Sequence, residues 1–484
     1  MQNISTLFIQ SFRNFSDFKM TFPKKDEILN LNVLIGRNGS GKSNLLDALF
    51  NIATTENLNY CDFEFYLKNY EDNLILANID PITKDKKIYP ELEDNETNCF
   101  WHKVVRFHCS NNPRNKENYL GDELYVQNSI DDLDDFDAIE DIDKITYKVK
   151  RFTNKCFDFT INDSKFAYIA YILSGQYFKD EEKGEENLWK KLNSIVIEEK
   201  LDDSANELSP EMIWIDAHSG NTLFDELKPE YCYSTSHSVD PKDGIVYYWK
   251  VDDLRKYYET NEVHDPKKIL EKYFNDYCYD MGFFYRIKNT QNNNDADLMS
   301  SSTLSDGQRA LIYRFAIVNL LKNESKKCLL LLDEPETYFN EYWKSYFIYL
   351  VNETLKDKPH DVFISTHSAM LITDAKSEEI HRLVNTPQGA YHCRPQINTY
   401  GVNVVDIGKY LFMMESDIGN RSKADIIKAI NNDDDLDPAK HKGQLVNLLR
   451  QVGAGEWRWR LRIALKEVEK ELQKVKAKEP TDEQ

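Results

Sequence analysis

The glycine-rich run at residues 36–43 has the residue types and the spacing that bind phosphate groups. It consists of Gly36, Arg37, Asn38, Gly39, Ser40, Gly41, Lys42 and Ser43, which fits the pattern GxxxxGK(S/T). Glycines let backbone N–H groups turn toward phosphate oxygens, and the positive end of a following helix adds to this attraction. Lys42 is expected to reach the β- and γ-phosphates, and the Ser43 hydroxyl to ligate Mg²⁺. The run therefore predicts binding of a nucleotide together with Mg²⁺.

Two adjacent carboxylates, Asp333 and Glu334, follow the apolar run at residues 328–332. Such a run predicts a buried strand, and ligands bind open α/β sheets at the carboxyl ends of their strands. Successive strand residues point in opposite directions, so Asp333 can serve Mg²⁺ while Glu334 faces an attacking water. A purely structural strand end explains the pair equally well by itself. Its occurrence together with the phosphate-binding loop favours phosphate hydrolysis.

Two further segments suit the same chemistry. Residues 304–309 place Ser305, Gly307 and Gln308 at the expected start of a helix, which makes either a phosphate-facing terminus or an ordinary cap. A predicted strand at residues 362–365 is followed by His367, where contact with a γ-phosphate is needed. An isolated histidine is more often a packing or surface residue. The similar run at residues 173–176 lacks one residue of the pattern and is interpreted as structural.

The elements that position these residues alternate in type. A strand at residues 31–35 and a helix at residues 44–51 flank the loop. Further strands are predicted at residues 4–12, 63–70, 74–79 and 103–109. After residue 303, helices at residues 307–322 and 340–356 alternate with the strands at residues 328–332 and 362–365. This alternation predicts a parallel sheet with crossover helices.

The middle of the chain, residues 110–297, differs in character. Eight of the thirteen positions from 131 to 143 are acidic, which is typical of a solvated surface segment. Helices are predicted at residues 165–174, 186–200 and 266–281, a strand at residues 245–250, and a polar linker at residues 292–302. The last 70 or so residues are predicted to be helical.

Composition limits the class of protein. The 484 residues carry a net charge of −21, and the mean hydropathy is −0.62. No apolar run approaches the ~18 residues that span a bilayer, and no signal peptide is visible. The eight cysteines form no CxxC pair, which favours reduced thiols in a cytoplasmic protein. The acidic balance argues against coating nucleic acid with the whole surface, but allows a local basic groove.

In this order the four segments resemble the P-loop, the LSxGQ-type signature, the Walker B strand and the His switch of ABC-type ATPase heads. Within that class the chain is similar to AAA-type ATPases related to SMC, RecF and OLD proteins. The resemblance implies an α/β, ABC/SMC-type P-loop NTPase head with a split nucleotide-binding domain. Its lobes would comprise residues 1–110 and 297–415, separated by a mixed α/β insertion at residues 111–296. A helical C-terminal region at residues 416–484 could dock a partner.

Several details narrow the resemblance. The DEPET run at residues 333–337 and the STHS run at residues 365–368 are similar to those of bacterial defence ATPases. The closest similarity is to ATPase subunits of anti-phage systems: PtuA of Septu, and retron-associated and restriction-associated ATPases. In related ATPases the DEPET run usually continues with an ETHFNP-like sequence, from which residues 338–341 (Tyr-Phe-Asn-Glu) depart. No convincing Q-loop glutamine is present, and residues 110–112 are the candidate position.

The resemblance also implies a mechanism. Two heads would enclose two ATP molecules, with Ser305, Gly307 and Gln308 of one subunit completing the P-loop site of the other. Glu334 would act as general base on water, His367 would support the γ-phosphate, and Asp333 would share Mg²⁺ with Ser43. Arg13, in a stretch like the NFR of related first strands, would approach the nucleotide. The active protein would be a homodimer or a higher homo-oligomer.

The chain lacks a visible nuclease. An OLD-type protein would carry a Toprim domain after His367, but residues 433–437 have the pattern of a loop or helix cap, and His441 is interpreted as a surface residue. The leading hypothesis is therefore an ATPase subunit that controls a separate effector, such as an HNH-type nuclease. The alternatives are a RecF/SMC-like repair ATPase acting directly on DNA, and a low-turnover ATP-bound scaffold.

The tail has two features with open interpretations. Leucine and valine residues spaced four and three apart form a short seam, either packed on its own domain or used for docking. The seam comprises Leu461, Leu465, Val468, Leu472 and Val475. The preceding cluster at residues 457–460 alternates tryptophan with arginine, and could stack on nucleic-acid bases or pack in a core.

Overall fold

The computed structural model forms two compact units, Met1–Val404 and Val405–Gln484. It describes residues 3–25, 27–55, 61–83, 85–89, 100–109, 152–153, 155–178, 192, 206–218, 226–235, 244–274, 278–289, 297–414 and 418–476. The acidic segment at residues 131–143, most of the expected helix at residues 186–200 and the Q-loop candidate at residues 110–112 lie outside these residues. No helix in the described part of the chain is both long and apolar enough to cross a membrane.

Seventeen strands are described, all in the first unit. They are β1 (Ile4–Phe12), β2 (Phe15–Thr21), β3 (Asn30–Ile35), β4 (Phe65–Asn69), β5 (Leu74–Ile79), β6 (Lys86–Tyr89), β7 (Val104–His108), β8 (Cys156–Phe159), β9 (Asn206–His218), β10 (Tyr231–Thr235), β11 (Gly244–Lys250), β12 (Cys278–Asn289), β13 (Met299–Ser300), β14 (Leu329–Asp333), β15 (Asp361–Ser365), β16 (Ile380–Thr386) and β17 (Gly389–Cys393).

The described helices follow the same chain order, with two short 3₁₀ turns at Ser301–Thr303 and Ser377–Glu379. They are α1 (Lys42–Thr54), α2 (Ser164–Leu173), α3 (Val251–Thr260), α4 (Pro266–Tyr273), α5 (Asp306–Asn319), α6 (Glu341–Leu355), α7 (Ala369–Thr373), α8 (Val404–Leu411), α9 (Asn420–Asn431), α10 (Pro438–Gln451) and α11 (Glu456–Lys476).

A seven-stranded sheet carries the segments singled out above. Its order is β17-β16-β3-β15-β14-β7-β8, and its strands are parallel except for the β16–β17 hairpin. Parallel strands covered on both faces need continuous apolar sequences, and all five residues of β14 are buried. The expected parallel sheet with crossover helices is confirmed. The carboxyl ends of β3, β14 and β15 therefore meet at one edge.

Helix α1 lies between this sheet and a second, antiparallel sheet of order β2-β1-β4-β5-β6. Leu45 and Leu49 on α1 belong to a core cluster that also contains Leu7 of β1 and Leu331 of β14. Burial of α1 by both sheets fixes the helix that follows the phosphate-binding loop.

A third sheet, of order β10-β11-β9-β12-β13, is antiparallel throughout and belongs to the middle of the chain. Here one expectation was wrong. The helix predicted at residues 266–281 ends at Tyr273, and Cys278–Asn289 forms β12. The reason is a change of period: Met281, Phe283 and Tyr285 are buried at alternate positions, which suits a strand paired with β9. The expected polar linker at residues 292–302 includes strand β13.

The second unit is helical and contains residues 418–476 of the expected C-terminal region. Four of the five seam residues pack within this unit: Leu461 and Val468 lie in one cluster with Ile426 of α9 and Leu445 of α10, and Leu465 and Leu472 pack against it. The side chain of Val475 lies outside the described part of the chain. Asp437 caps α10 by accepting from the N–H groups of Ala439 and Lys440, which supports the interpretation of residues 433–437 as a loop and helix cap.

His441 is buried and not at the surface, contrary to expectation. Its side chain is 7% exposed, because it faces the end of α9 across the helical core. Its Nε2 lies 2.7 Å from the carbonyl oxygen of Ala429 near that helix end, which also accepts from the N–H of Asn432 at 3.4 Å. The residue therefore has a packing role.

Candidate nucleotide-binding site

The phosphate-binding loop joins β3 to α1, as the sequence predicts. Gly36 has φ +155, and a Cβ there would lie 2.5 Å from the carbonyl oxygen of Leu383 and from Oγ of Ser40. Only glycine fits this position without displacing the neighbouring strand β16. The loop thus turns sharply where β3 ends, and α1 begins at Lys42 with its N–H groups beside the loop.

Lys42 is directed back across the loop, and its side chain is only 5% exposed. Its Nζ donates to the carbonyl oxygen of Gly36 at 3.1 Å and lies 2.7 Å from Nε2 of His367. Burial lowers the pKa of Lys42, against the opposing effect of the Glu334 and Asp333 carboxylates. The structure therefore joins the lysine of the P-loop run to the histidine predicted at the end of β15.

Ser43 and Asp333 form the second junction of the site. Oγ of Ser43 donates to Oδ1 of Asp333 at 3.1 Å, and the Ser365 hydroxyl donates to the same oxygen. Hydroxyl and carboxylate oxygens are ligands that Mg²⁺ accepts, and Mg²⁺ is usually held by one or two carboxylates plus substrate phosphates. No cluster of three His, Cys, Asp or Glu ligands occurs in the described residues. The donor set thus fits Mg²⁺.

Glu334 has a strained backbone, with φ +48 in the left-handed region. Such a conformation costs about 1–3 kcal/mol in a residue with a side chain, and it concentrates at functional sites. Two hydrogen bonds hold it, because its N–H donates to the carbonyl oxygen and the hydroxyl of Ser365 at 3.1 and 3.2 Å. Its Oε1 lies 3.2 Å from Nε2 of His367, and its side chain is 35% exposed. The carboxylate is thus fixed by its backbone yet accessible to water.

A buried pair supports the loop that carries His367. Oε1 of Glu336 accepts from the Thr366 hydroxyl, whose oxygen in turn accepts from the N–H of Ser368 at 2.9 Å. Glu336 is 7% exposed, and within the described part of the chain its Oε2 has no hydrogen-bond partner. Burial raises the pKa of Glu336. These contacts hold Thr366 and Ser368, the two residues next to His367 in the chain.

The predicted signature residues lie at the start of α5. Ser305 caps this helix: its Oγ accepts from the N–H of Gln308 at 3.2 Å, and its own N–H donates to Oε1 of Gln308 at 2.8 Å. A Cβ at Gly307 would lie 2.6 Å from the carbonyl oxygen of Tyr338, so the helix start packs closely on the segment after Glu334. Among the described residues, the Ser305 side chain bonds only within its own helix start. It does not bond to Lys42 of the same chain.

Arg13 lies against α1. Its guanidinium donates to Oδ1 of Asn44 at 3.1 Å and forms an ion pair with Asp47. Its φ of +54 turns the chain between β1 and β2. The structure thus places Arg13 beside the helix that follows the loop. Its recorded contacts do not include Lys42 or the Asp333–Glu334 pair.

Sequence reasoning missed Arg106 on β7. Its guanidinium forms two bonds to Asp158 on β8, at 2.7 and 2.5 Å, and lies 3.3 Å from Asp47. It also lies 3.7 Å above the ring of Phe50, and its side chain is 3% exposed. The sequence did contain a signal, because a charged residue in the middle of an apolar strand is buried only when it is paired, and so indicates an acidic partner.

The run at residues 173–176 is structural, as interpreted. Ser174 ends α2, and its hydroxyl donates to the carbonyl oxygen of Tyr171 at 2.9 Å.

The comparison with known families then decides the identity of the first unit. A family model described as "AAA domain, putative AbiEii toxin, Type IV TA system" matches residues 31–374. The chain belongs to this AAA family.

The AAA-family match includes the P-loop, the Asp333–Glu334 pair and His367, and extends across the middle of the chain. With the parallel sheet that joins these segments, it makes the first unit an α/β AAA-family domain with a P-loop between β3 and α1. The nucleotide-binding domain is split, because β3 and β7 come from the first quarter of the chain and β14 and β15 from the third.

One curated relative of this AAA-family chain is "Protein ea59" of Escherichia phage lambda, 25% identical over 104 residues. The match spans 22% of this chain and 20% of that protein. The chain is also similar to the SMC head domain from Thermotoga maritima, with 13% identity, a TM-score of 0.33, and coverage of 82% and 100% of the two chains. It is similar as well to an Smc head domain bound to the C-terminal domain of ScpA from Pyrococcus furiosus. That match has 12% identity and a TM-score of 0.29, and it covers 86% of this chain and 100% of the other.

Proposed function

We propose that this AAA-family protein binds ATP with Mg²⁺, hydrolyses it, and serves as the ATPase subunit of a bacterial anti-phage complex. One observation carries the catalytic part of the proposal. Lys42, Ser43, Asp333, Glu334 and His367 come from three strand ends and meet through contacts of 2.7–3.2 Å. A phosphate-binding lysine, oxygen ligands and an accessible carboxylate at one sheet edge form the set that phosphoryl transfer to water requires.

Each residue has a defined task in this proposal. Mg²⁺, when bound by Ser43 and Asp333, neutralises charge on the β- and γ-phosphates. Lys42 exchanges its contacts with Gly36 and His367 for phosphate oxygens, to which its ammonium group can offer up to three N–H donors. Glu334 accepts a proton from the attacking water, since its carboxylate is fixed by a strained backbone yet reaches solvent. His367 donates to the γ-phosphate from the position it now occupies beside Lys42.

We infer that two heads pair around the nucleotide, with Ser305, Gly307 and Gln308 acting on the site of the other subunit. The support is the start of α5, where Ser305 is exposed at the positive end of a 14-residue helix. Helix N-termini attract anions through their free N–H groups and dipole. A mixing experiment tests this arrangement, because each single variant would lack a different half of one composite site.

The variants for this test are Lys42→Ala and Ser305→Asn. Asparagine is also a good N-cap, so Ser305→Asn preserves α5 while changing the signature hydroxyl. Each variant alone is expected to be inactive. Their 1:1 mixture is expected to regain part of the ATPase rate, since random pairing makes about half of the dimers heterodimers and each heterodimer contains one intact composite site. No recovery, in a mixture shown by sedimentation to form dimers, would contradict the sharing of sites between subunits.

The defence role has separate support. The family description refers to a putative toxin of a toxin–antitoxin system, and the DEPET and STHS runs resemble those of anti-phage ATPases. We propose that a separate effector, such as an HNH-type nuclease, is held inactive or released according to the nucleotide state of the heads. Phage plating on cells carrying the native gene cluster tests this. Glu334→Gln is expected to abolish protection, whereas unchanged protection would separate the ATPase activity from defence.

A further inference from the structure

The outward face of α11 is basic. The residues that face the core of the second unit, Leu461, Ala464 and Val468, are at most 6% exposed. Since a helix has 3.6 residues per turn, residues at spacings of three and four from Trp459 lie on the opposite side. These residues are Trp459, Arg462, Ile463, Lys466, Lys470 and Lys474, and all are exposed. We call this set the α11 outer face.

The charges of the α11 outer face have no ion-pair partners among the described residues. Two acidic residues of the helix are paired elsewhere, Glu469 with Lys442 at 2.9 Å and Glu456 with Arg460 at 2.6 Å, while Glu467 and Glu471 are exposed along one edge of this face. Four cations thus follow one another at four-residue spacing over about 18 Å of helix. Like charges at this spacing destabilise a helix. A run of unpaired cations in a chain of net charge −21 points to an anionic ligand.

The two tryptophans of the cluster at residues 457–460 have different environments: one packs against the core and the other is exposed. Trp457 packs against the core of the second unit, with the Arg460 guanidinium 4.8 Å from its ring centroid. Arg458 donates to the carbonyl oxygen of Val452. Trp459 by contrast is 61% exposed, on the same face as Arg462 and Lys466. Only this indole is free to stack on a ligand.

We propose that the α11 outer face binds single-stranded nucleic acid. The four cations would contact successive backbone phosphates, and Trp459 would stack on an unpaired base. An acidic protein segment would use the cations but leaves the exposed indole unexplained. A membrane surface needs the apolar face of the helix, which here is buried against α9 and α10. This surface belongs to the second unit, whereas the residues of the candidate nucleotide-binding site belong to the first, and we expect binding at the α11 outer face without hydrolysis.

The test uses the full chain without nucleotide and a fluorescein-labelled dT20 oligonucleotide, with anisotropy read at several salt concentrations. We expect the double variant Lys466→Glu/Lys470→Glu to weaken binding at least 10-fold and to reduce the salt dependence. Trp459→Ala is expected to weaken dT20 more than a 20-base-pair duplex, because only unpaired bases can stack. The matched control is Lys428→Glu/Lys440→Glu, which changes the same charge on α9 and α10 and should leave dT20 binding within twofold.

Three outcomes would overturn the proposal. The first is no binding of dT20 by the native chain at low salt. The second is equal weakening by the control pair, which would indicate a general charge effect. The third is an α11 variant that dissociates an oligomer of this chain, measured by sedimentation, while dT20 affinity is unchanged. That result would assign the face to an acidic protein surface. Circular dichroism of each variant checks that the helical unit remains folded.

Discussion

Ser43 and Asp333 are separated by 290 residues in the chain, yet Oγ of the first donates to Oδ1 of the second at 3.1 Å. The contact exists because β3 and β14 both pair with β15 in parallel, which brings the start of α1 and the end of β14 to the same sheet edge. A site divided between distant segments forms only when the whole sheet is assembled. Nucleotide binding should therefore report on folding of the complete head.

Replacement of Lys42 by alanine should remove ATP binding. Truncating one partner of a buried charge pair costs about 2–5 kcal/mol, which corresponds to roughly 30-fold or greater loss of affinity. Isothermal titration with ATP and Mg²⁺ measures this. Lys19→Ala, an exposed lysine on β2, is the control and should bind normally. Unchanged affinity in the Lys42 variant would mean that the loop does not hold the phosphates.

Replacement of Glu334 by glutamine should slow hydrolysis while ATP still binds. Glutamine keeps the size and the backbone strain of this position but cannot accept the proton of an attacking water. Loss of a general base lowers kcat by about 10²–10⁴-fold. Phosphate release under saturating ATP gives the rate, and titration gives the affinity. A variant as fast as the native protein would require a different base.

The Glu336–Thr366 contact should position His367. Glu336→Gln keeps an oxygen that accepts from Thr366, so we expect turnover close to native. Glu336→Leu and Thr366→Val both remove this bond, and a small displacement of a catalytic group can cost up to about 10²-fold in rate. Both are expected to lower kcat more than they raise KM for ATP. If glutamine were as damaging as leucine, the charge of Glu336 and not its hydrogen bond would matter.

Replacement of Arg314 by methionine should stabilise the protein. The Arg314 guanidinium is 1% exposed; its Nη1 donates to Ser164 at 2.9 Å, but Nε and Nη2 have no hydrogen-bond partners among the residues that the structure describes. Burial lowers the pKa of Arg314 to about 9. Apolar replacement of buried charges is often stabilising, by about 1–4 kcal/mol. Urea denaturation followed by tryptophan fluorescence measures the change, with Arg309→Met, a less buried residue of the same helix, as the control.

Acidification should destabilise the head through His392 and its neighbour His381. Burial and the nearby Arg394 lower the pKa of His392 from 6.5 to about 4, and burial lowers the pKa of His381 well below 6.5. Between these values the unfolded chain binds protons that the folded chain does not. The free energy of unfolding therefore falls as pH drops from about 6.5 to about 4, by up to about 3 kcal/mol for His392.

Thermal midpoints at pH 7.5 and 5.0 measure this loss. His392→Gln can still donate to His381, with which His392 shares a 3.1 Å contact between Nε2 and Nδ1. We expect a smaller loss in this variant than in the native protein. The control is His264→Gln, which changes an exposed histidine. Equal losses in all three proteins would assign the acid sensitivity to other groups.

Local patterns predicted the elements of the head well. The run around Lys42 fits one strand–loop–helix arrangement, and the continuous apolar run before Asp333 fits a strand buried on both faces. The same reasoning failed at residues 278–281, which were predicted to continue the helix from residue 266 and instead begin β12. There the pairing of β12 with β9 outweighs local preference, because strand pairing depends on a partner about 70 residues away.

The sequence by itself determined which candidate groups stand at the strand ends, namely a glycine-rich loop with a lysine, a pair of carboxylates and a histidine, since these depend on residue type and short-range spacing. The tertiary structure decided which groups support them. The contacts of Glu336 with Thr366 and of Arg106 with Asp158 join residues 30 and 52 positions apart. It also decided that Trp457 is packed and Trp459 exposed, because the core of the second unit covers one side of α11 and leaves the other in solvent.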